Sequence, residues 1–547
     1  MMDADTGTPA SHMMAEVLRL LKPFWPVVAT ATLLGIVGGL TTTGLLARIN
    51  QTLQRGELSP GFWLNFTALL SVSVVGTAVA GVLNSLIGQK IIASLRKDIS
   101  SRILRAPLDA IERYRSHRLL ATLNNDIDTV SAFTFNFSAY AIALAMTLGG
   151  LIYLSWLSWT LFAFSLVFLA AGMLLTAFSR HGWMKDYEGV RDAQDDLQKQ
   201  YRAIIEGAKE LRINQTRRAR IFGIQLGGAV DTIARLKSHA MGQMWMMNGA
   251  STALLFIFIG IMLTARRFLG IDSADISAAV IVLLFIKGPM EQLANALPVL
   301  GQAYVSMKKL AALSSAFSNP EPDISLAPPG EDEVTMSLNS LSLEQVGYTF
   351  KPNGGTGFSL GPVSLDIRAG EFVFIVGENG SGKTTLIKIL LGLYAPDRGR
   401  ILYDGRPVTA AGRDAYRRLF TTVFADYYLF DEILVDTARA GDSQRYLERL
   451  DLAHKVRIQN GRFSTTDLST GQRKRLALVQ AYLEDRPVIV FDEWAADQDP
   501  VFRQVFYTEL LPDLKRMGKT LIVISHDDRY FSVADRIIVM ADGRIAQ

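Results

Sequence analysis

Gly377-Glu378-Asn379-Gly380-Ser381-Gly382-Lys383-Thr384-Thr385 stands between the apolar run 372–376 and the apolar-periodic run 386–393. Its first eight positions fit G-x-x-x-x-G-K-[ST], and the flanks supply the strand before and the helix after that such a phosphate-binding loop requires. Glycines in this loop let successive backbone N–H groups curl into a nest for phosphate oxygens, and the positive end of the following helix faces the same point. The pattern assigns Lys383 to the terminal phosphates and the Thr384 hydroxyl to Mg²⁺, with Gly377, Asn379, Gly380, Ser381, Gly382 and Thr385 around the nucleotide. A glycine-rich turn without a ligand is the bland alternative, and the full pattern in its strand and helix context overrides it.

A second acidic site belongs with this loop. The run Val488-Ile-Val-Phe-Asp492-Glu493 is an apolar strand ending in two carboxylates, of which Asp492 can hold Mg²⁺ and Glu493 can polarise the water that attacks a terminal phosphate. Strand ends are usually solvated, so these carboxylates gain meaning only from the loop. With the runs 521–524 and 537–540, the strands alternate with helical segments, which predicts an α/β domain with a largely parallel sheet.

Upstream the chain changes character. Hydrophobic residues make up 49% of its 547 residues and mean hydropathy is +0.21, yet 20% are charged, so an apolar part is joined to a polar one. A helix needs about 20 apolar residues to cross a hydrocarbon core of about 30 Å. Six such helices are expected, near 24–47, 62–87, a hairpin over 129–179 turning at Leu157-Ser158-Trp159, 244–265 and 276–304. No Asp, Glu, Lys or Arg occurs in 129–179. Lys and Arg number eight in 88–132 and twelve in 179–243, against two in 48–61, none in the 157–159 turn and two in 266–275. Both long connections are therefore expected in the cytoplasm, as helical extensions of the membrane segments. That distribution also accounts for the net charge of +4 without a nucleic-acid partner. Cysteine is absent, which excludes disulfides and a thiol nucleophile. The boundary falls in the Pro-rich acidic stretch from Asn319 to Glu333. The expected division is a polar segment 1–23, a membrane domain 24–313, a linker 314–337 and an ATP-binding domain 338–547. Residues 1–15 carry no apolar core and do not read as a signal peptide.

Leu468-Ser469-Thr470-Gly471-Gln472 resembles the signature sequence of the ABC ATPases, with Thr470 where the family usually has glycine. The resemblance implies that Ser469, Gly471 and Gln472 contact ATP held by the phosphate loop of a second copy, so that hydrolysis depends on a homodimer. It makes Phe350 in Val346-Gly-Tyr-Thr-Phe350 the adenine-stacking aromatic, with Tyr348 on the same strand face, and makes His526 a γ-phosphate contact. Asp499 matches the aspartate that follows the catalytic carboxylate. Where the family carries a Mg²⁺-sensing glutamine, Val423-Phe-Ala425-Asp426 has Ala425, and what replaces the glutamine stays open. Residues 460–467 lack the glutamate motif common in multidrug exporters.

More finely, the chain is similar to bacterial exporters of cyclic and siderophore peptides, the group that includes the pyoverdine-precursor exporter. The strings that carry this are Ile111-Glu-Arg-Tyr-Arg-Ser-His-Arg118, Glu206-Gly-Ala-Lys-Glu-Leu211 and Phe491-Asp-Glu-Trp-Ala-Ala-Asp-Gln-Asp-Pro500. The resemblance implies a six-helix exporter domain fused to the ATPase, twelve membrane helices per dimer in the bacterial inner membrane, and ATP-driven export of a peptide-like siderophore or precursor. A lipid or multidrug exporter is the alternative. The uncharged 129–179 stretch argues decisively against a soluble ATPase, and intact Lys383, Asp492, Glu493 and His526 argue against a silent scaffold. Lys287 and Glu291, opposite charges one helical turn apart within an apolar segment, are candidate cargo contacts; a structural ion pair is the competing reading.

Overall fold

The computed structural model describes residues 24–55, 58, 60–114, 119, 122–269, 272–317, 319–322, 324–327, 337–350, 357–433 and 442–546. The N-terminal segment 1–23, the linker portion 328–336 and residues 115–118 of the first cytoplasmic string lie outside the described residues. The chain separates into two compact units: Met1–Arg96 with Thr122–Ala312, and Lys97–Ala121 with Leu313–Gln547.

The first unit is built from six long helices: α1 (Trp25–Arg55), α2 (Phe62–Arg105, whose end enters the second unit), α3 (Ile127–Leu157), α4 (Trp159–Glu206), α5 (Gly227–Leu269) and α6 (Ser273–Ala316). Among the described residues five helical stretches are long and apolar enough to cross a membrane, and α4 opens with a shorter apolar stretch, Trp159–Leu175. Both α2 and α6 have 44 residues, about 66 Å at 1.5 Å per residue, roughly twice a hydrocarbon core. The surplus length is what carries the polar ends beyond the bilayer. Ser158 takes extended backbone between α3 and α4, at the turn expected from the sequence, and Trp156 and Trp159 beside it are exposed, as aromatics at a membrane interface are. Leu154, Leu161, Leu255, Val282 and Ile286 pack inside, while Leu64, Val167 and Met173 face outward. An apolar exterior around an apolar interior is the pattern of a bundle solvated by lipid.

The second unit centres on a six-stranded sheet in the order β6-β5-β1-β4-β3-β2, where β1 is Phe372–Gly377, β2 Phe420–Val423, β3 Val488–Asp492, β4 Thr520–Ile524, β5 Arg536–Ala541 and β6 Arg544–Ala546. All pairings except that of β6 are parallel. Strand alternation divides the core into two layers. Phe372, Phe374, Phe491, Leu521 and Val523 face a helical layer, whereas Val373, Ile375, Val490, Ile522 and Ile524 face the helix Lys383–Leu390 and an antiparallel sheet that includes Ser340–Phe350 and Phe358–Arg368. Burial on both faces explains why these strands read as unbroken apolar runs.

The end of α2 and the linker also belong to this unit. The Glu321 backbone N–H donates to the Arg105 carbonyl at 2.8 Å, and the buried Glu321 carboxylate pairs with Arg417 at 2.7 Å. On the short helix Leu108–Arg113, Glu112 pairs with Lys388 at 2.8 Å and accepts the Tyr394 hydroxyl proton. Burial and this carboxylate push the Tyr394 hydroxyl far above its usual pKa, so it stays a donor.

Candidate functional site

The parallel register sets the carboxyl ends of β1, β4, β3 and β2 along one edge: Ile524 pairs with Ile375 on one side and Asp492 on the other, and Val423 with Phe491. Ligands of open α/β sheets bind in the crevice beyond such ends. Gly377, Asp492 and His526 therefore arrive at one place although they are far apart in sequence.

At Gly377 the backbone needs glycine, since a Cβ there would lie 2.2 Å from the Met540 carbonyl oxygen. Gly382, in the left-handed region at φ +98°, ends the loop and starts the helix Lys383–Leu390. Lys383 is buried, with its ammonium donating to the Gly377 and Glu378 carbonyls at 2.9 Å each. The Ser381 hydroxyl is buried and, among the described residues, has no hydrogen-bond partner. A folded-back cation and an orphaned hydroxyl in a glycine nest fit an anionic ligand that satisfies both.

The Thr384 hydroxyl donates to Asp492 Oδ2 at 3.3 Å. Burial, then the neighbouring Glu493 carboxylate, pushes the Asp492 carboxyl above the usual range, and Asp426 adds to the push while Lys388 opposes it. The Thr384 hydroxyl and the Asp492 carboxylate are oxygen donors of the kind a hard cation such as Mg²⁺ takes, although among the described residues no cluster of three or more His, Cys, Asp or Glu side chains stands ready to hold one. Ala425 and Asp426 follow β2 and are exposed; the methyl of Ala425 offers a metal no ligand. Glu493 adopts φ +50°, and its Oε1 lies 3.2 Å from His526 Nε2. Such backbone in a residue other than glycine is held by its surroundings and is common at active sites.

Residues 360–496 match the ABC transporter family and residues 25–285 match the ABC transporter transmembrane region. The "ATP-binding protein SyrD" of Pseudomonas syringae pv. syringae is 37% identical over 550 residues, 97% of this chain and 96% of that protein. This chain is an ABC transporter. An "ATP-dependent lipid A-core flippase" of Chromobacterium violaceum is 24% identical over 97% of this chain and 93% of its own length. A solved bacterial Atm1-family ABC exporter with ATP bound aligns with a TM-score of 0.72 over 96% of this chain and 95% of that one, at 17% identity, a likeness of fold. The ABC transporter thus carries one membrane region and one ATP-binding domain, a half-transporter that binds and hydrolyses ATP to drive export across the inner membrane.

Ser469 N-caps the helix Thr470–Glu484 in a reciprocal capping box with Gln472 and is exposed; among the described residues no hydrogen bond or ion pair joins 469–472 to 377–385. Asp499 caps the helix Pro500–Val505 and pairs with Arg475 at 2.7 Å. Tyr348 is buried and stacked on Tyr394, with centroids 4.9 Å apart, whereas Phe350 at the end of its strand is only partly buried. In the membrane unit Lys287 donates to Thr252 on α5 at 2.9 Å and sits 3.7 Å from Glu291. Sequence reasoning missed Phe358, whose ring stands 2.8 Å from where a Gly382 Cβ would be, and Glu112 as the partner of Lys388 and Tyr394. No local spacing signals either, because both are contacts between distant segments.

Proposed function

We propose that two copies of this chain pair to export a peptide-like siderophore or precursor, each ATP site using the phosphate loop of one copy and the signature residues of the other. The exposure of Ser469, with no hydrogen bond or ion pair to the phosphate loop among the described residues, supports the shared-site reading. Lys383 exchanges its loop carbonyls for the terminal phosphates, with Gly377, Asn379, Gly380, Ser381, Gly382 and Thr385 around the nucleotide and Phe350 stacked on adenine. Thr384 and Asp492 hold Mg²⁺, which when bound neutralises charge on the phosphates. Glu493 takes the proton of the attacking water, while His526 orients its carboxylate and reaches towards the γ-phosphate. Ser469, Gly471 and Gln472 complete the partner's site.

Mixing tests the shared site. Lys383→Ala and Ser469→Arg proteins are each expected to be inactive alone, because each spoils both sites of its own dimer. Co-assembled, they leave one intact site per mixed dimer and ATPase activity returns. Failure of the mixture to regain activity, with mixed dimers shown to form, would rule out composite sites.

Phe350→Ala should weaken ATP binding by about five- to a hundredfold, since stacking on a base is worth roughly 1–3 kcal/mol. Tyr348→Ala should weaken it less, because that ring is spent on Tyr394. Titration with a fluorescent ATP analogue decides, and the reverse order would reject Phe350 as the adenine platform.

For cargo, the three cytoplasmic and catalytic strings support a peptide-like siderophore, and an ammonium at Lys287 suits carboxylates and hydroxamates. The 24% identity to a lipid A-core flippase favours a lipid as the second reading. Uptake of labelled peptide against labelled lipid into inside-out vesicles separates the two.

A further inference from the structure

The segment that follows Glu493 is bolted to the start of the signature helix Thr470–Glu484 by contacts that neither motif requires by itself. Lys474, in the second turn of that helix, is only 2% exposed. Its ammonium lies 2.7 Å from Asp497 Oδ2 and donates to the Glu493 carbonyl at 3.2 Å. Trp494, itself buried and stacked on Phe506 with centroids 4.2 Å apart, donates its indole N–H to the Lys474 carbonyl at 2.9 Å. Gln498 donates to the Gly471 carbonyl at 3.0 Å and accepts from Arg475 at 3.1 Å. Arg475 pairs in turn with Asp499 and lies over the Phe502 ring, 3.6 Å from its centroid. Glu493, Trp494, Asp497, Gln498 and Asp499 are thus all tied to the first two turns of one helix.

We infer that Lys474 is a positioning residue: it holds the left-handed backbone of Glu493 and joins it to the helix whose N-terminus carries Ser469 and Gly471. The inference rests on the proposed roles of Glu493 as base and of the signature residues as contacts for the partner's ATP. A buried ammonium cannot be left unpaired, so Lys474, Asp497 and the Glu493 carbonyl move as one body. A φ of +50° in a residue with a side chain persists only where neighbours over-determine it, and the carbonyl bond from Lys474 is one such restraint. Any shift of the signature end on meeting the partner's nucleotide is then delivered to the Glu493 of the same copy. ATP bound at one site is registered by the base of the other, and turnover responds to ATP cooperatively.

The test is steady-state ATPase of the full-length dimer in lipid nanodiscs across a range of ATP concentrations. Lys474→Met keeps the length of the chain and removes the charge and its donors. It is expected to lower kcat by about tenfold or more with KM for ATP within about twofold, and to bring the Hill coefficient towards one. Asp497→Asn keeps Lys474 and protects the proposal should the first variant not fold. It is expected to lower kcat severalfold and to reduce the Hill coefficient in the same direction. A purely packing role would lower melting temperature and the amount of folded protein while kcat per folded dimer and cooperativity stayed put; that result, or an unchanged kcat and Hill coefficient in Asp497→Asn, overturns the inference. Glu493→Gln measured alongside separates the two levels. Wild-type turnover there defeats the base assignment, whereas loss of turnover there with unaltered kinetics in the Lys474 and Asp497 variants defeats only the linkage.

Discussion

Glu493→Gln is expected to lower ATP turnover by about 10²–10⁴-fold while ATP affinity stays near that of the unaltered protein. The substitution removes the charge proposed to accept a proton from water and retains side-chain shape. It leaves in place Lys383, Thr384, Asp492 and the phosphate nest, the groups proposed to hold the nucleotide. The backbone of Glu493 is fixed at φ +50° by its own surroundings, so the amide should occupy the position of the carboxylate. The partial exposure of Glu493 makes the neutral side chain tolerable without refolding of the site. His526 Nε2, 3.2 Å from Glu493 Oε1, can still hydrogen-bond the amide oxygen. Turnover stalls while binding persists, so protein should accumulate as an ATP-bound closed dimer. Spin-label distances between introduced cysteines can follow that closure against no background, because the chain has none of its own. Wild-type turnover would remove Glu493 from the role of base.

Lys287→Met should abolish export and cargo-stimulated ATPase while leaving basal ATPase and folded protein intact. Lys287 lies about 21 Å along α6 from Ser273, too deep for easy escape of the ammonium to a membrane surface. A charge near the centre of a membrane helix costs at least ~2.5 kcal/mol, so one that persists there pairs or faces water. Lys287 pairs: it donates to Thr252 at 2.9 Å and lies 3.7 Å from Glu291. An ammonium has three donors, and Thr252 and Glu291 together leave capacity for an acidic cargo group. Transport of a labelled hydroxamate peptide into inside-out vesicles, with ATPase and thermal melting on the same samples, gives the answer. Normal transport by Lys287→Met would end the cargo-contact role, and loss of folded protein would make the pair a structural lock between α5 and α6.

Lys474→Met and Phe350→Ala act within the ATPase unit, and their different signatures, kcat against affinity, keep the two roles apart. Phe350 is also where sequence and structure divide the work. Both Tyr348 and Phe350 fall on one strand face by period-two alternation, which any reader of Val346-Gly-Tyr-Thr-Phe350 can count. Only the packed fold shows that Tyr348 is already committed to Tyr394, a partner from the segment after the phosphate-loop helix.

The sequence by itself determined the features that live within one turn or one strand. The phosphate loop needs eight neighbouring residues, a buried strand announces itself by an unbroken apolar run, and a membrane helix by some twenty residues without charge. These are local because backbone geometry and transfer from water act on each segment separately. Tertiary structure alone decided which strand ends share an edge, that Glu112 meets Lys388, and that Lys474 lies between Asp497 and the Glu493 carbonyl. Hydrophobic patterning records that a side chain is buried and is silent on its partner, because burial is non-directional whereas a hydrogen bond or ion pair needs two named atoms within about 3 Å. Sheet order and helix packing bring those atoms together, and neither is encoded in the spacing of any single motif.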